Sequence, residues 1–384
     1  MTGIILTQYN GKIIGPIAKL LGYLMNAIFE FLNMIKIPNI GLSIIIFTIV
    51  IYLLLMPLTI KQQKFSKLSA KMNPELQAIQ KRYKDKKDNE SMMAMNAETK
   101  AVYAKYGVSP SGSCLQLLIQ MPILFALYRV IYNMPAYVTR IRDAFGVIAD
   151  SVIASGKVSE IQNLKVAAAY ARNFAIDERN AVIDVLYVMN NKDLAAYATG
   201  HEDVLEQISH FNNFLGINIA NSPSFMISDA WNAEGGPQIL LIIAALLIPL
   251  LSAFTQWLNV KLMPQQAQQD DKNVSDQQAS MQQSMKMMNN FMPIMSAVFC
   301  FTLPSGMGLY WIVGAVVRSI QQVLINKHID KMDIDEVIKK NEEKQKKKLV
   351  KAGIDPNTVN KNATMNTRNV AAPSQKASMA SKAN

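Results

Sequence analysis

Arg318 is the residue whose type and position point most directly to a function. It lies near the middle of an apolar stretch of about 20 residues, which as a helix would cross a hydrocarbon core of about 30 Å. An ionisable side chain at that depth costs about 2.5–3.5 kcal/mol on insertion scales, so it is expected to serve a function. Trp311 lies two helical turns earlier and therefore on the same face. We take this face as the candidate working surface.

Catalytic or metal chemistry has no candidate residues in the apolar segments. His201, His210 and His328 lie outside them, and the segments contain no paired carboxylates. Cys114 and Cys300 offer neither metal-ligand spacing nor a disulfide framework. We therefore expect a protein that is not an enzyme, uses no cofactor or metal and takes no small-molecule substrate.

The composition indicates a membrane protein. The chain is 50% hydrophobic and 17% charged, whereas a soluble domain carries about 25% charged residues. The apolar residues are concentrated in blocks, which predicts an all-α polytopic membrane protein with five transmembrane helices. The predicted spans are residues 41–60, 112–134, 238–260, 289–304 and 305–326.

The segments between the spans have different compositions. Residues 61–111 show two apolar stripes at helical spacing around a charged turn, which predicts a cytoplasmic helical hairpin. Residues 261–288 read as a cytoplasmic loop, and residues 327–384 as a basic cytoplasmic tail that is disordered from about residue 353. The polar residues 135–237 predict a helical extracytoplasmic insertion with helices at Ser159–Asn173, Asp177–Met189 and Glu202–Phe211. We expect that excising residues 140–212 leaves the function of the membrane core intact.

Residues 1–40 precede the first span and contain a helix with polar residues on one face. Lys19, Asn26, Glu30 and Asn33 recur at spacings that place them on that face. This pattern predicts an amphipathic helix lying in the membrane interface. An uncleaved signal anchor is the alternative.

Loop charge predicts the topology. Residues 61–111 carry 11 Lys and Arg against 5 Asp and Glu, and residues 327–384 carry 13 against 7, whereas residues 135–237 carry 7 against 12. The positive-inside rule then places the hairpin and tail in the cytoplasm and the insertion outside. The N-terminus is therefore expected outside and the C-terminus in the cytoplasm of a bacterial plasma membrane.

Polar residues lie in the cytoplasmic halves of several spans. Tyr52 is in the first span, Gln116 and Gln120 in the second, Gln256 in the third and Arg318 in the fifth, whereas the outer halves are almost purely hydrocarbon. This pattern predicts a polar groove that is open to the cytoplasm and closed on the outer side. The alternative is that these residues are interfacial or join helices by hydrogen bonds.

The fourth span is unusually short. Its apolar part, residues 291–303, would be about 20 Å long as a helix, which would thin the adjacent bilayer. A thinned bilayer beside a polar groove lowers the barrier for moving a polar segment across.

Three segments of the chain resemble the YidC-type membrane protein insertases, which have relatives in mitochondria and chloroplasts. They are IVIYLLLMPLTIKQQKFSKLSAKMNPELQAIQKRYK (49–84), YGVSPSGSCLQLLIQMPILFALYRVI (106–131) and FMPIMSAVFCFTLPSGMGLYWIVGAVVRSIQQVLI (291–325). The resemblance implies a hydrophilic groove that accepts nascent membrane proteins and releases them into the lipid bilayer. It also implies contact with the ribosome, through the hairpin and tail, and with the Sec translocon.

The chain departs from the family pattern in two respects. The family usually has an arginine in the first span where this chain has Tyr52, and Arg318 stands where many relatives have a neutral residue. The insertion 135–237 replaces a loop that is usually short. The large extracytoplasmic domain of some relatives is missing, which suggests the form found in bacteria with a single membrane.

Arg318 is the best candidate to supply the missing groove charge. We expect its guanidinium to rely on water, Gln120, Gln256 and the Tyr52 hydroxyl, since no span contains a carboxylate. Arg129 is the second candidate, although it lies toward the outer end of its helix. The alternative is that Arg318 snorkels to the phosphates of the inner leaflet.

The tail offers a separate candidate site. A cluster of five lysines could bind ribosomal RNA phosphates or anionic lipid headgroups, namely Lys344, Lys346, Lys347, Lys348 and Lys351. Two further function classes stay open at this stage. A solute transporter or channel would need polar residues through both membrane halves, and a passive ribosome anchor would need only the basic tail.

Overall fold

The computed structural model describes a chain that is almost entirely helical, which confirms the all-α expectation. It describes residues 8–351 except 10, 84, 85, 87, 109–111, 234 and 263–275, and it describes only the backbone at 112–117, 119, 169, 191, 276–286, 288, 289, 334, 345, 348 and 349. The predicted disordered tail and part of the predicted hairpin turn therefore lie outside the described residues.

The helices are, in chain order, α1 (Ile14–Met34), α2 (Ile40–Leu54), α3 (Met56–Tyr83), α4 (Asn89–Tyr106), α5 (Gly112–Tyr132), α6 (Met134–Tyr137), α7 (Thr139–Ala154), α8 (Val158–Gln162), α9 (Ala171–Phe174), α10 (Glu178–Val188), α11 (Asn191–Tyr197), α12 (Glu202–Asn212), α13 (Pro223–Trp231), α14 (Ile239–Leu262), α15 (Asp276–Thr302), α16 (Ser305–Asp330) and α17 (Ile334–Lys351). A 3-10 turn spans Lys165–Tyr170, and a short antiparallel hairpin pairs β1 (Asn213–Phe214) with β2 (Ile217–Asn218).

The chain folds as two compact units. The first comprises Met1–Met56, Leu117–Leu262 and Met288–Gln321 and contains α1, α2, the insertion and most of the apolar helices. The second comprises Pro57–Gln116, Met263–Met287 and Gln322–Asn384 and contains the hairpin and the tail helix.

Two described helices, α14 and α16, are each long and apolar enough to cross a membrane. A third span results if α2 and α3, which meet at a bend, are counted together, and α15 contributes the shorter apolar segment Asn290–Thr302. On α14 the large apolar side chains of Leu240, Leu250 and Phe254 are exposed, which is typical of a surface that faces lipid. The predicted arrangement of five spans stays a prediction.

Part of the range 261–288, which the sequence predicted to be a loop, is helical. α15 begins at Asp276, so residues 276–288 are helical. Gln, Met, Ala and Lys dominate this stretch, and each favours a helix. The prediction of a loop was therefore wrong for the second half of that range.

α1 has two apolar faces. One face is buried in the first unit and includes Met25 and Phe29, while the other is exposed and carries Leu20, Tyr23 and Phe31. The polar residues between these faces bind protein atoms. Asn26 Oδ1 accepts a hydrogen bond from the Thr139 backbone N–H at 2.9 Å, and Glu30 pairs with Arg140 at 2.7 Å. The polar residues of α1 therefore attach it to the insertion.

The insertion folds around α10, whose buried residues include Val182, Ile183 and Leu186. The predicted second and third helices of the insertion match α10 and α12 to within one residue. The predicted helix Ser159–Asn173 was wrong, because α8, the 3-10 turn and α9 occupy that range. Over residues 159–173 the backbone turns around buried side chains. Local helix propensity does not predict such a tertiary effect.

The last part of the insertion binds the N-terminal end of α16. The Ser305 and Gly306 N–H groups, which begin α16, donate to the carbonyls of Asn221 and Ile219 at 2.8 and 3.0 Å. The first amides of a helix have no intrahelical partner, so these two carbonyls satisfy them. The Phe214 ring lies against Gly41 near the start of α2, at a distance that excludes a Cβ atom. Residues 214–221, at the end of the insertion, are therefore packed against α2 and α16, and the prediction that residues 140–212 can be excised stays a prediction.

The second unit is a hairpin whose core is completed by the tail. α3 runs through Pro74 without ending. The hairpin buries Leu68, Met72 and Tyr106, and α17 adds Ile338 to the same cluster. The Asn341 side-chain amide donates to the Tyr106 carbonyl at 2.9 Å and so satisfies a carbonyl at the end of α4.

Three ionisable groups join α3 to α4. The Glu75 carboxylate accepts hydrogen bonds from Lys105 Nζ at 2.8 Å and from the Tyr106 hydroxyl at 2.7 Å. Burial raises the pKa of Glu75, but these two hydrogen bonds and the lysine charge outweigh it and leave the pKa below its usual value. Burial, together with the Glu75 carboxylate, raises the pKa of Tyr106 to about 12.

We expect Phe211→Ala to destabilise the first unit strongly. The Phe211 and Phe29 rings meet edge to face at 5.2 Å, and both are buried. Removing a buried phenyl ring costs about 3–5 kcal/mol of unfolding free energy, whereas Phe225→Ala on the exposed side of α13 is expected to cost less than about 1 kcal/mol. Thermal unfolding of both variants in one detergent measures the difference. Equal effects would mean that the insertion and α1 do not share a core.

We expect the hairpin to lose stability at acidic pH through Glu75. Because the folded pKa is lowered, the stabilisation is complete above the unfolded pKa near 4.5 and is lost as pH falls through the folded pKa. Glu75 and Lys105 are partly exposed, so solvent screening limits the contribution to about 1 kcal/mol or less. Hydrogen exchange, corrected for its intrinsic pH dependence, should show this loss in the wild type and not in Glu75→Gln. The exposed carboxylate variant Glu90→Gln is the control and should keep the wild-type pH dependence.

Candidate functional site

The Arg318 guanidinium is held between α2 and α14. Its Nη1 donates a hydrogen bond to the Tyr52 hydroxyl, and its Nη2 donates to Gln256 Oε1 at 3.4 Å. The guanidinium carbon lies 5.3 Å from the centroid of the Tyr52 ring, within the range of a cation–π interaction. The structure thus brings together three of the residues that the sequence singled out.

Tyr52 is fixed at its backbone as well as at its hydroxyl. It lies in the last turn of α2, where the final carbonyls have no intrahelical donor. The Gln321 side-chain amide donates to the Tyr52 carbonyl at 2.8 Å, and Tyr52 is only 4% exposed. Two residues of α16, one turn apart, therefore hold Tyr52 from both ends.

Gln321 is a site residue that the sequence reasoning did not select. Its position in the polar inner half of the last span was visible from the sequence. Its partner was not, because a backbone carbonyl becomes free only where α2 ends.

Other polar residues of α14 join helices. Ser252 hydrogen-bonds the Ser296 hydroxyl and accepts from Cys300 Sγ, and the Asn259 amide donates to the Ser319 hydroxyl at 3.4 Å. Ser252 and Asn259 are buried. For these residues, the alternative of hydrogen bonding between helices describes the structure better than a polar groove.

Trp311 and Gln120 occupy different surroundings from Tyr52. The Trp311 ring packs against Phe299 of α15 with a centroid distance of 6.0 Å. Gln120 is half-buried on α5, and the described hydrogen bonds of Arg318 go to Tyr52 and Gln256 instead. The side chain of Gln116 lies outside the described residues.

Arg129 contacts two aromatic rings from the last turn of α5. Its guanidinium carbon lies 4.6 Å from the centroid of the Tyr9 ring and 6.0 Å from that of Tyr128. The Tyr9 backbone N–H in turn donates to the Tyr137 hydroxyl at 3.2 Å. Arg129 therefore binds the N-terminal segment through Tyr9 and is a poor candidate for a groove charge.

The tail lysines of the second candidate site lie on α17. Lys344, Lys346, Lys347 and Lys351 are all exposed, whereas Lys348 has no described side chain. Ile338, on the same helix, is buried against the hairpin. α17 thus presents an apolar residue to protein and four described lysines to solvent. Within the described residues, no cluster of three or more His, Cys, Asp or Glu side chains could hold a metal ion.

A match to a protein-family model identifies the family of this chain. The model is described as 60Kd inner membrane protein and matches residues 31–332, which is well over half of the chain. The match extends from the end of α1 through α16. The chain belongs to the 60Kd inner membrane protein family.

Curated relatives are similar in sequence to this chain over shorter stretches. The Membrane protein insertase YidC of Fusobacterium nucleatum subsp. nucleatum is 38% identical over 117 residues, which cover 29% of this chain and 55% of that relative. The Membrane protein insertase YidC of Oceanobacillus iheyensis is 45% identical over 95 residues, covering 25% of this chain and 37% of the relative. The Membrane protein insertase MisCA of Bacillus subtilis is 43% identical over 98 residues, covering 26% and 37%. The chain thus spans between 37% and 55% of the length of these relatives.

These matches confirm the family that the three sequence segments resemble. As a member of the 60Kd inner membrane protein family with apolar helices, the chain is a multi-pass bacterial membrane protein. Position 52 is a tyrosine, and the guanidinium next to it comes from Arg318 on α16.

Proposed function

We propose that this protein is a membrane protein insertase that accepts nascent hydrophobic segments with short polar flanks and releases them into the bilayer. The observation that carries the proposal is the Arg318 charge, held by Tyr52 and Gln256 among apolar helices. Family membership supports it, since the named relatives are membrane protein insertases.

The role of the charge follows from electrostatics. A guanidinium in surroundings of low dielectric attracts a carboxylate more strongly than it would in water. An acidic residue in the flank of an incoming segment would gain that attraction while the segment is only partly inserted. We propose a groove, open to the cytoplasm, that offers this intermediate position, with Arg318, Tyr52 and Gln256 at its centre. Gln120 and Trp311 would line the same groove.

The remaining elements have proposed roles that follow from their surfaces. The exposed apolar face of α1 would lie in the interface on the outer side of the plasma membrane. Exposing large apolar side chains such as Leu20 and Tyr23 to water would otherwise cost free energy. The short apolar segment of α15 would thin the bilayer beside the groove. The loop charges favour a cytoplasmic hairpin and tail with the N-terminus outside.

The hairpin and tail would contact the ribosome, and the Sec translocon would be a further partner. The exposed lysines of α17 support the ribosome contact, since they can pair with RNA phosphates. Contact with the Sec translocon rests on the family resemblance alone.

Reconstitution into liposomes tests the insertase proposal. We expect the wild type to insert a single-span substrate without Sec components and to prefer an acidic polar flank over the matched flank with Asn and Gln. Arg318→Ala should lower insertion of the acidic substrate about tenfold and leave the neutral substrate unchanged. Arg318→Lys should retain part of the preference, and Tyr52→Arg in the Arg318→Ala background should restore it.

Arg129→Ala is the matched control, because it removes an arginine that is engaged by Tyr9 at the outer end of α5. It should leave the preference for the acidic flank intact. Full activity of Arg318→Ala on the acidic substrate would contradict the proposed role of the charge. Absence of any insertion by the wild type would contradict the insertase proposal itself.

Cosedimentation with ribosomes tests the tail. Replacing Lys344, Lys346, Lys347 and Lys351 by glutamine should weaken binding of the detergent-solubilised protein and reduce its salt dependence. Detergent removes the competing contact with anionic lipid. The charge-matched control replaces Lys157, Lys165, Arg172 and Lys192, which lie on the insertion, and should bind as the wild type does. Equal binding by both variants would mean that the tail lysines do not contact the ribosome.

A further inference from the structure

Gly314 lies on α16 one helical turn before Arg318, and it is buried. Glycine is disfavoured inside a helix because it loses more backbone entropy than alanine does. A glycine in this position therefore calls for a structural reason. The reason lies across the interface with α2.

The Tyr52 ring occupies the space that a side chain at position 314 would take. A Cβ atom built on Gly314 would lie 3.0 Å from Tyr52 Cε2, 3.1 Å from the Tyr52 hydroxyl oxygen and 3.3 Å from Arg318 Nη1. All three distances are shorter than ordinary van der Waals contacts between carbon and its neighbours. An alanine at this position would thus press on both members of the Tyr52–Arg318 pair at once.

Tyr52 has little freedom to withdraw from such a contact. Its carbonyl is bonded to Gln321, and the residue is almost completely buried. The part of the ring that can move is the hydroxyl end, and its displacement would break the hydrogen bond from Arg318 Nη1. The guanidinium would then keep only the longer contact to Gln256.

Loss of the hydrogen bond to Tyr52 would allow the long side chain of Arg318 to move. An arginine without a fixed partner in a membrane helix extends its guanidinium toward water at the nearer surface. The contact with Tyr52 opposes this movement because it adds both a hydrogen bond and a cation–π interaction. The depth of the charge is therefore set by Tyr52, and the position of Tyr52 depends on the missing side chain at 314.

We propose that Gly314 is a positioning residue for the Arg318 charge, and that it acts by leaving room for Tyr52 to hold the guanidinium between α2 and α14. This inference rests on the proposed insertase function. It adds the prediction that the preference for acidic flanks depends on a residue that carries no charge and no polar side chain.

Gly308 provides the matched control on the same helix. A Cβ atom there would lie 2.4 Å from Ile248 Cγ2 and 3.6 Å from Cys300 Sγ, so its close contact is with apolar and thiol groups on α14 and α15. An alanine at 308 disturbs helix contacts as an alanine at 314 does, but it does so without touching Tyr52 or Arg318.

The test measures insertion of the acidic and the neutral substrate by each variant. Gly314→Ala should lower insertion of the acidic substrate about five- to tenfold and leave the neutral substrate unchanged. Gly308→Ala should lower both substrates in parallel or neither. In the Tyr52→Ala background, Gly314→Ala should cause no further loss, because the ring that it displaces is absent.

A second readout is independent of insertion activity. Phenylglyoxal modifies accessible arginines, and mass spectrometry of the solubilised protein reports the rate at Arg318. That rate should rise several-fold in Gly314→Ala and stay at the wild-type value in Gly308→Ala. If Gly314→Ala does not accumulate in the membrane, Tyr52→Phe replaces it, since that change removes only the hydroxyl and should likewise raise the modification rate at Arg318.

Several outcomes would overturn the inference. These are a parallel loss of both substrates in Gly314→Ala, an additional loss in the Tyr52→Ala background, or a modification rate at Arg318 that stays at the wild-type value in Gly314→Ala or in Tyr52→Phe. Failure of the proposed function is distinguishable, because there Arg318→Ala itself would have no effect on the acidic substrate.

Discussion

A positive charge among apolar helices cannot be left without partners, and this constraint organises the interior of the first unit. No carboxylate is available in the predicted spans, so the guanidinium of Arg318 is stabilised by a phenol, an aromatic face and an amide. Those partners must themselves be fixed. The end of α2 exposes a carbonyl that Gln321 binds, and Gly314 leaves space for the Tyr52 ring. The need to stabilise one charge thus explains the contacts of the end of α2, of Gly314 and of the glutamines Gln256 and Gln321.

The N-terminal end of α16 meets a different requirement, which is that buried backbone groups need hydrogen-bond partners. The first amides of α16 are buried and have no partner within the helix. Carbonyls from the end of the insertion supply the missing acceptors, at Ile219 and Asn221. The insertion is therefore part of the bundle as well as a surface domain. The polar contacts between the insertion and α1 make α1, which exposes an apolar face, part of the same unit.

The second unit shows how a basic segment can also belong to a folded core. The hairpin alone buries few apolar residues, because charges occupy most of its surface. Ile338 and Asn341 of the tail helix add an apolar contact and a helix-capping hydrogen bond. The lysines of α17 are then displayed from a helix with a fixed orientation toward the hairpin, which gives the basic surface a defined shape.

The sequence by itself determined the all-α class, the apolar blocks, the family and the need of Arg318 for polar partners. The class and the blocks follow from local composition, the family follows from the resemblance of three segments, and the need for partners follows because an arginine is costly at that depth. Only the tertiary structure decided which polar residues join helices, as Ser252 and Asn259 do, and where the insertion ends. It also decided the roles of Gly314 and Gln321, because a missing side chain and a free carbonyl acquire meaning only from the atoms of another helix. Local patterns carry no information about such contacts between residues distant in the chain.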